Sequence, residues 1–209
     1  MTLSLLARIA CGLVLAAALL PSHAATSEVR MEAKPVKQLF QEDGESWDDF
    51  VSRSARVMCD YTSQTDFEAG GWLCVHPSSG KGAISVISSL SQISVSASIK
   101  GCPLGGYGLT TEFMHSHPVK EYIVLTDRDL HAYPMRKMAR FLGGMRAGSR
   151  VHVGSSGGRF SKPDLEIGPG YLVHGENLYY QSNGRQQFKR TLGSGSHQGS
   201  AMETRVASH

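Results

Sequence analysis

The sequence predicts a single α+β domain, and three observations carry that expectation. An amphipathic run after Ser46 has helical spacing. The stretches after it are short and strand-like, closed by Gly, Pro and Ser turns. The order, helix first and then many strands, is that of a sheet with segregated helices. The chain has 209 residues, enough for one ordinary domain. Hydrophobic residues make up 41% and charged residues 19%, a globular composition and not a disordered one. Formal net charge is +3, and no basic stretch is interleaved with aromatics, so nucleic acid is not an expected partner.

Residues 1–24 read as a secretory signal. Arg8 is the one charged side chain there, Leu13 to Leu20 is an unbroken apolar run, and Ser22-His23-Ala24 supplies small residues for cleavage after Ala24. The apolar stretch Ile9 to Leu20 spans about 12 residues, well short of the roughly 20 a bilayer core requires. The expected mature protein is therefore exported, periplasmic or secreted, with no membrane span. An oxidising compartment makes one disulfide among Cys59, Cys74 and Cys102 plausible, and the sequence does not choose the pair.

Residues 25–45 are polar and without period, the expectation for a flexible N-terminal arm; the domain proper is expected over 46–192. Ser46 is placed to cap a helix carrying Trp47, Phe50, Val51, Ala55 and Met58, with Asp48 and Asp49 in its first turn and an end near Tyr61. Gly71 to Val75 and Ala83 to Val86 read as strands, with His76-Pro77-Ser78-Ser79-Gly80 as the turn between them. Ile93, Val95, Ala97 and Ile99 alternate with polar residues, a period-two strand pattern. Leu109 to His115 is a strand leading into His115-Ser116-His117-Pro118, and Tyr122 to Leu125 is a shorter one. Met135, Met138 and Leu142 have helical spacing and stop at Gly143-Gly144. Val151 to Val153 is a strand candidate, and Tyr171-Leu172-Val173 with Leu178-Tyr179-Tyr180 flank a Gly175 turn as a hairpin. From residue 193 the composition turns to Gly, Ser and His, a disordered tail.

The chemistry concentrates at His115 and His117. His-x-His on a strand puts both imidazoles on one face, because side chains alternate with period two, and Pro118 ends the strand there. Two such rings reach one metal ion, and a catalytic zinc takes about three protein ligands and keeps one position open. His76, His131, His152 and His174 are single histidines, expected at the surface or hydrogen-bonded. Glu112, three residues before His115, is expected on the opposite strand face.

With Glu68 ahead of Gly70-Gly71-Trp72-Leu73 and Ser161-Lys162-Pro163-Asp164 behind, the ordered set Glu, His-Ser-His-Pro and Ser-x-x-Asp resembles the JAMM (MPN+) metallopeptidase pattern. Phe160-Ser161-x-x-Asp164 followed by the Gly170–Tyr180 hairpin is similar to uncharacterised bacterial JAMM-like domains, over roughly residues 46 to 192. The resemblance implies a cytidine-deaminase-like three-layer fold and a Zn2+ held by His115, His117 and Asp164. It also implies Glu68 as proton acceptor and Ser161 as oxyanion donor, in hydrolysis of a peptide or isopeptide amide. Between His117 and Asp164 lie 46 residues, where the family has about ten, so a helical insertion carrying Met135 to Leu142 is expected between the motifs. Thr126-Asp127-Arg128-Asp129 is a rival Ser/Thr-x-x-Asp, with 11 residues between His117 and Asp129. For an exported enzyme of this kind the expected substrate is peptide or isopeptide-linked, with cell-wall peptide one candidate that no residue of the sequence selects. A non-catalytic MPN-like scaffold, or a secreted toxin or effector using the same site, is the alternative.

Overall fold

The structure is a computed structural model that describes residues 33–95, 97, 100–103, 105–131, 145–152 and 158–193. The proposed signal segment, the helix over Met135 to Leu142 and the tail from residue 194 lie outside the described residues. The elements are β1 (Lys34–Phe40), α1 (Trp47–Thr65), β2 (Gly70–Val75), β3 (Gly82–Ser88), β4 (Gly108–His117), β5 (Tyr122–Val124), α2 (Asp127–His131), β6 (Arg150–His152), α3 (Lys162–Ile167), β7 (Gly170–His174), β8 (Asn177–Ser182) and β9 (Arg185–Thr191). This is an α+β architecture. Seven strands form one mixed sheet in the order β1-β3-β2-β4-β7-β8-β9, and β5 and β6 form a separate pair. Every pairing is antiparallel except β4 with β7, which run parallel at the centre of the large sheet.

Helix α1 begins where the sequence places it. The Ser46 hydroxyl accepts from the Asp49 N–H, and the helix runs on past Tyr61 to Thr65, closed by Asp66 in the left-handed region. Its apolar stripe of Phe50, Val51, Ala55 and Met58 packs on one sheet face against Leu73, Ile84, Val86, Met114, Val173 and Leu178. The other sheet face carries a smaller cluster of Trp72, Val95 and Phe113, and it is on this face that His115 and His117 stand. Gly170 is required at the start of β7, because a Cβ there would run into the Phe113 carbonyl of β4.

Two expectations need correction, and one strand was not foreseen. Residues 34–40 are not a loose arm but the edge strand β1, paired with β3; only Leu39 of its seven residues is buried, which is why no alternation marks it. Ile93 and Val95 are not in a strand: Leu90 turns the chain with φ 53°, Ile93 packs on the Ile123–Leu125 cluster, and Val95 and Ala97 pack on Trp72 and Phe113. Alternate residues there serve two separate clusters and not two faces of a sheet. The segment 185–191, which carries no clear apolar period, forms β9 on the far edge. Of the three cysteines, Cys74 and Cys102 form the disulfide, and Cys59 is a half-buried thiol that donates to the Gly175 carbonyl at 3.2 Å. No helix among the described residues is long and apolar enough to cross a membrane.

Candidate metal centre

Ladder register assembles most of the site. Gly70 of β2 pairs with His115 and Gly71 with Met114, and beyond the start of β2 the Ser116 N–H still donates to the Ala69 carbonyl at 2.8 Å. Antiparallel register therefore sets Glu68 opposite His117. On the other side, parallel β7 pairs Leu172 with His115 and His174 with His117. Glu68, His117 and His174 thus form a row across three strands on one face.

The third ligand arrives from α3. Ser161 caps this helix, its hydroxyl accepting from the Asp164 N–H while Asp164 Oδ2 accepts from the Ser161 N–H at 2.7 Å. This capping box fixes the carboxylate at the helix start with Oδ1 3.4 Å from His115 Nε2 and Oδ2 3.7 Å from His117 Nε2. The two Nε2 atoms are 3.2 Å apart. Bonds of about 2.0–2.1 Å to a tetrahedral ion set its ligand atoms about 3.3–3.4 Å from each other. One ligand atom from each of His115, His117 and Asp164 lies within 4.8 Å of the others, so the three could hold a metal ion. The donor set, two imidazole nitrogens and one carboxylate, suits a borderline divalent cation.

The rings are held from behind. His115, 3% exposed, stacks on Phe113 with centroids 5.7 Å apart and meets the edge of Phe160 at 6.0 Å. Its Nδ1 is buried without a hydrogen-bond partner among the described residues, so packing and not a carboxylate partner fixes this ring. Glu68 Oε1 lies 3.9 Å from His117 Nε2. The Glu68 backbone is tied on both sides, its N–H to the Ser91 carbonyl and its carbonyl to the Ser88 hydroxyl, each at 2.8 Å.

Burial, then the neighbouring charges of Asp164 and Asp129, push the Glu68 carboxyl well above the usual carboxylate range. For Asp164, burial acts upward, but the facing His115 and His117 rings and the Ser161 hydrogen bond outweigh it and hold the group far below that range. Two carboxyls in one site are thus pushed in opposite directions, Glu68 up and Asp164 down.

The rival Asp129 is placed elsewhere. It is fully buried at the start of α2 and accepts from Ser91 Oγ (2.7 Å), the Gln92 N–H (2.8 Å), Thr126 N–H (2.8 Å) and Thr126 Oγ1 (2.7 Å), with Gln92 Nε2 at 3.3 Å. No side of it faces the histidines as a ligand; it anchors the loop whose Ser91 carbonyl holds Glu68. Glu112 points to the opposite face, where it accepts from the Tyr180 hydroxyl at 3.0 Å. His174 was expected as an isolated histidine; the parallel β4–β7 register brings it beside His117, half-buried, with its pKa lowered by burial. Pairing of strands 57 residues apart leaves no local trace in sequence, and the only signal was proximity to Asp164.

Comparison with family models, with curated proteins and with solved structures finds no match.

Proposed function

We propose that this chain is an exported, zinc-dependent amide hydrolase of the JAMM (MPN+) type, acting on peptide or isopeptide bonds. The observation that carries the reading is the convergence of His115 Nε2, His117 Nε2 and an Asp164 carboxylate at spacings of 3.2, 3.4 and 3.7 Å. The Glu68 position opposite His117 and the order of the motifs support it further. A zinc ion bound at this site supplies Lewis acidity, polarising the scissile carbonyl and lowering the pKa of water toward neutrality.

The protein's own groups do the rest. Asp164 enters as an ionised ligand, because the rings it faces and its capping box keep it deprotonated. Glu68, buried and of raised proton affinity, takes the proton of the attacking water and delivers it to the leaving amine. Ser161 Oγ caps α3 beside the Asp164 carboxylate, and its O–H turns from that carboxylate to donate to the oxyanion that develops on the carbonyl. Phe113 and Phe160 wall His115 and exclude water from that side. Export rests on residues 1–24, and the Cys74–Cys102 disulfide suits an oxidising compartment. In that setting a cell-wall peptide is the natural substrate.

The test is the zinc content of the purified full chain beside His117→Ala. About one zinc per chain, lost in the variant, supports the reading; no zinc in either protein overturns it.

A further inference from the structure

Helix α3 carries Asp164, yet it spans only 6 residues and none of them is buried. A helix that short does not hold its own conformation in water. Its Ile167 packs on Trp72 and Phe113, but at the end away from Ser161. What fixes its start is a pair of hydrogen bonds from a side chain on another element. Gln186 Nε2 donates to the Gly158 carbonyl at 2.6 Å, and Gln186 Oε1 accepts from the Phe160 N–H at 3.1 Å. We propose that Gln186 is a positioning residue of the metal centre, setting through this clasp where Ser161 starts α3 and where Asp164 meets the two histidines, a role that rests on the metal-centre reading above.

Register brings the glutamine to the right face. Gln186 pairs with Gln181 across β8–β9, Gln181 with Gly170, and Gly170 with Phe113. Directly paired residues share a sheet face, and Phe113 stacks on His115, so this row lies on the face of the histidines. Gln186 ends the row, because β9 is the last strand of the sheet. Its neighbour Gln181 is buried, donates from Nε2 to the carbonyl of Gly168, the C-terminal cap of α3, and accepts from the Gly184 N–H at 3.3 Å. Two paired glutamines thus hold the two ends of the segment that carries Ser161 and Asp164.

A carboxamide suits this task. It presents a donor and an acceptor together, and here it meets a carbonyl and an N–H on the two sides of Arg159, as a residue of a neighbouring strand would. The clasp ends at Phe160, one residue before the cap. The Ser161 N–H then donates to Asp164 Oδ2 at 2.7 Å, so hydrogen bonds run from Gln186 through the segment to the ligand carboxylate. Phe160 also meets the edge of the His115 ring, so a slip of the clasp displaces the carboxylate and the ring's wall together.

The full chain is compared as wild type, Gln186→Ala, Gln186→Glu and Gln187→Ala. Gln187 is the control: it is exposed on the same strand but pairs with Tyr180, which packs on the α1 side. Zinc affinity is measured by calorimetry, and hydrogen exchange over residues 158–168 is followed in the metal-free protein by mass spectrometry. Gln186→Ala is expected to weaken zinc binding about tenfold, the low end of what loss of an outer partner costs, and to speed exchange over 158–168. The midpoint of its urea unfolding should stay near the wild-type value, because the side chain is exposed. Gln186→Glu keeps the acceptor for Phe160 and loses the donor to Gly158, so its zinc affinity is expected between those of the wild type and Gln186→Ala. Gln187→Ala should match the wild type in both readouts. Zinc affinity unchanged in Gln186→Ala, or weakened equally in Gln187→Ala, overturns the positioning role with the metal centre intact. Absence of zinc binding by the wild type instead overturns the metal-centre reading, and the role with it.

Discussion

Two short helices in this chain begin with the same four-residue device. At Thr126–Asp129 and again at Ser161–Asp164, a hydroxyl residue and an aspartate three positions on exchange hydrogen bonds across the first turn. The outcomes differ because of what surrounds the carboxylate. Asp129 is fully buried and also accepts from Ser91 Oγ, the Gln92 N–H and Gln92 Nε2, so both oxygens are spent on the fold. Asp164 accepts one backbone hydrogen bond and turns its remaining capacity toward two imidazoles. A capping box fixes a carboxylate in space at little cost; whether that carboxylate becomes anchor or ligand depends on how many other donors reach it. The two are also connected, since the loop that Asp129 anchors presents the Ser91 carbonyl to the Glu68 N–H.

The largest effect expected from breaking this comparison is at Asp164. Asp164→Ala removes a proposed ligand, and zinc affinity is expected to fall by more than the roughly 10–100-fold that loss of an outer partner costs, while the thermal stability of the metal-free protein changes little. Asp129→Ala should do the reverse. It leaves several buried donors without an acceptor, each costing about 1–3 kcal/mol, and a stability loss of about 3–4 kcal/mol in urea unfolding is expected. Zinc should remain bound by the folded fraction.

Glu68→Gln separates stability from function. The Glu68 pKa is raised by folding, so its protonated form is favoured in the native state. Its stabilising contribution is complete below the ordinary Glu pKa of about 4.3 and is lost as pH rises through the raised folded value. In the metal-free protein at pH 8 the glutamine variant is expected to melt at least about 2–4 °C higher, the shift that roughly 1 kcal/mol makes at this size. The gap should close near pH 4, with hydrolysis abolished throughout. A wild type more stable than the variant at pH 8 contradicts this. The smallest effect on stability is expected at Ser161→Ala, about 0.5–1 kcal/mol for an exposed cap. Zinc should be retained, and kcat for any cleaved peptide should fall by roughly 10²–10³, as for loss of an oxyanion donor.

What the sequence made legible was local. Ser46 and the 3.6-residue stripe after it produced α1, and period two placed His115 and His117 on one face. Ser161 and Asp164 were readable because a capping box spans only four residues. What stayed hidden depends on which strands meet. β1 is an edge strand with one buried side chain, so it has no alternation to detect. The alternation of Ile93, Val95 and Ala97 arises from two clusters and mimics a strand. Thr126-x-x-Asp129 and Ser161-x-x-Asp164 look alike in sequence; only the position of Ser91 and Gln92, reached through the Leu90 turn, tells them apart. The Cys74–Cys102 pairing likewise follows from tertiary packing.

The central claim is that Asp164 and not Asp129 completes a metal site with His115 and His117. Calorimetric zinc titration of the metal-stripped full chain, with Asp164→Ala and Asp129→Asn alongside and folding checked by circular dichroism, tests it directly. The account expects one zinc per chain for the wild type and for Asp129→Asn, and none at comparable affinity for Asp164→Ala. Binding that survives Asp164→Ala, or that is lost from a folded Asp129→Asn, contradicts it.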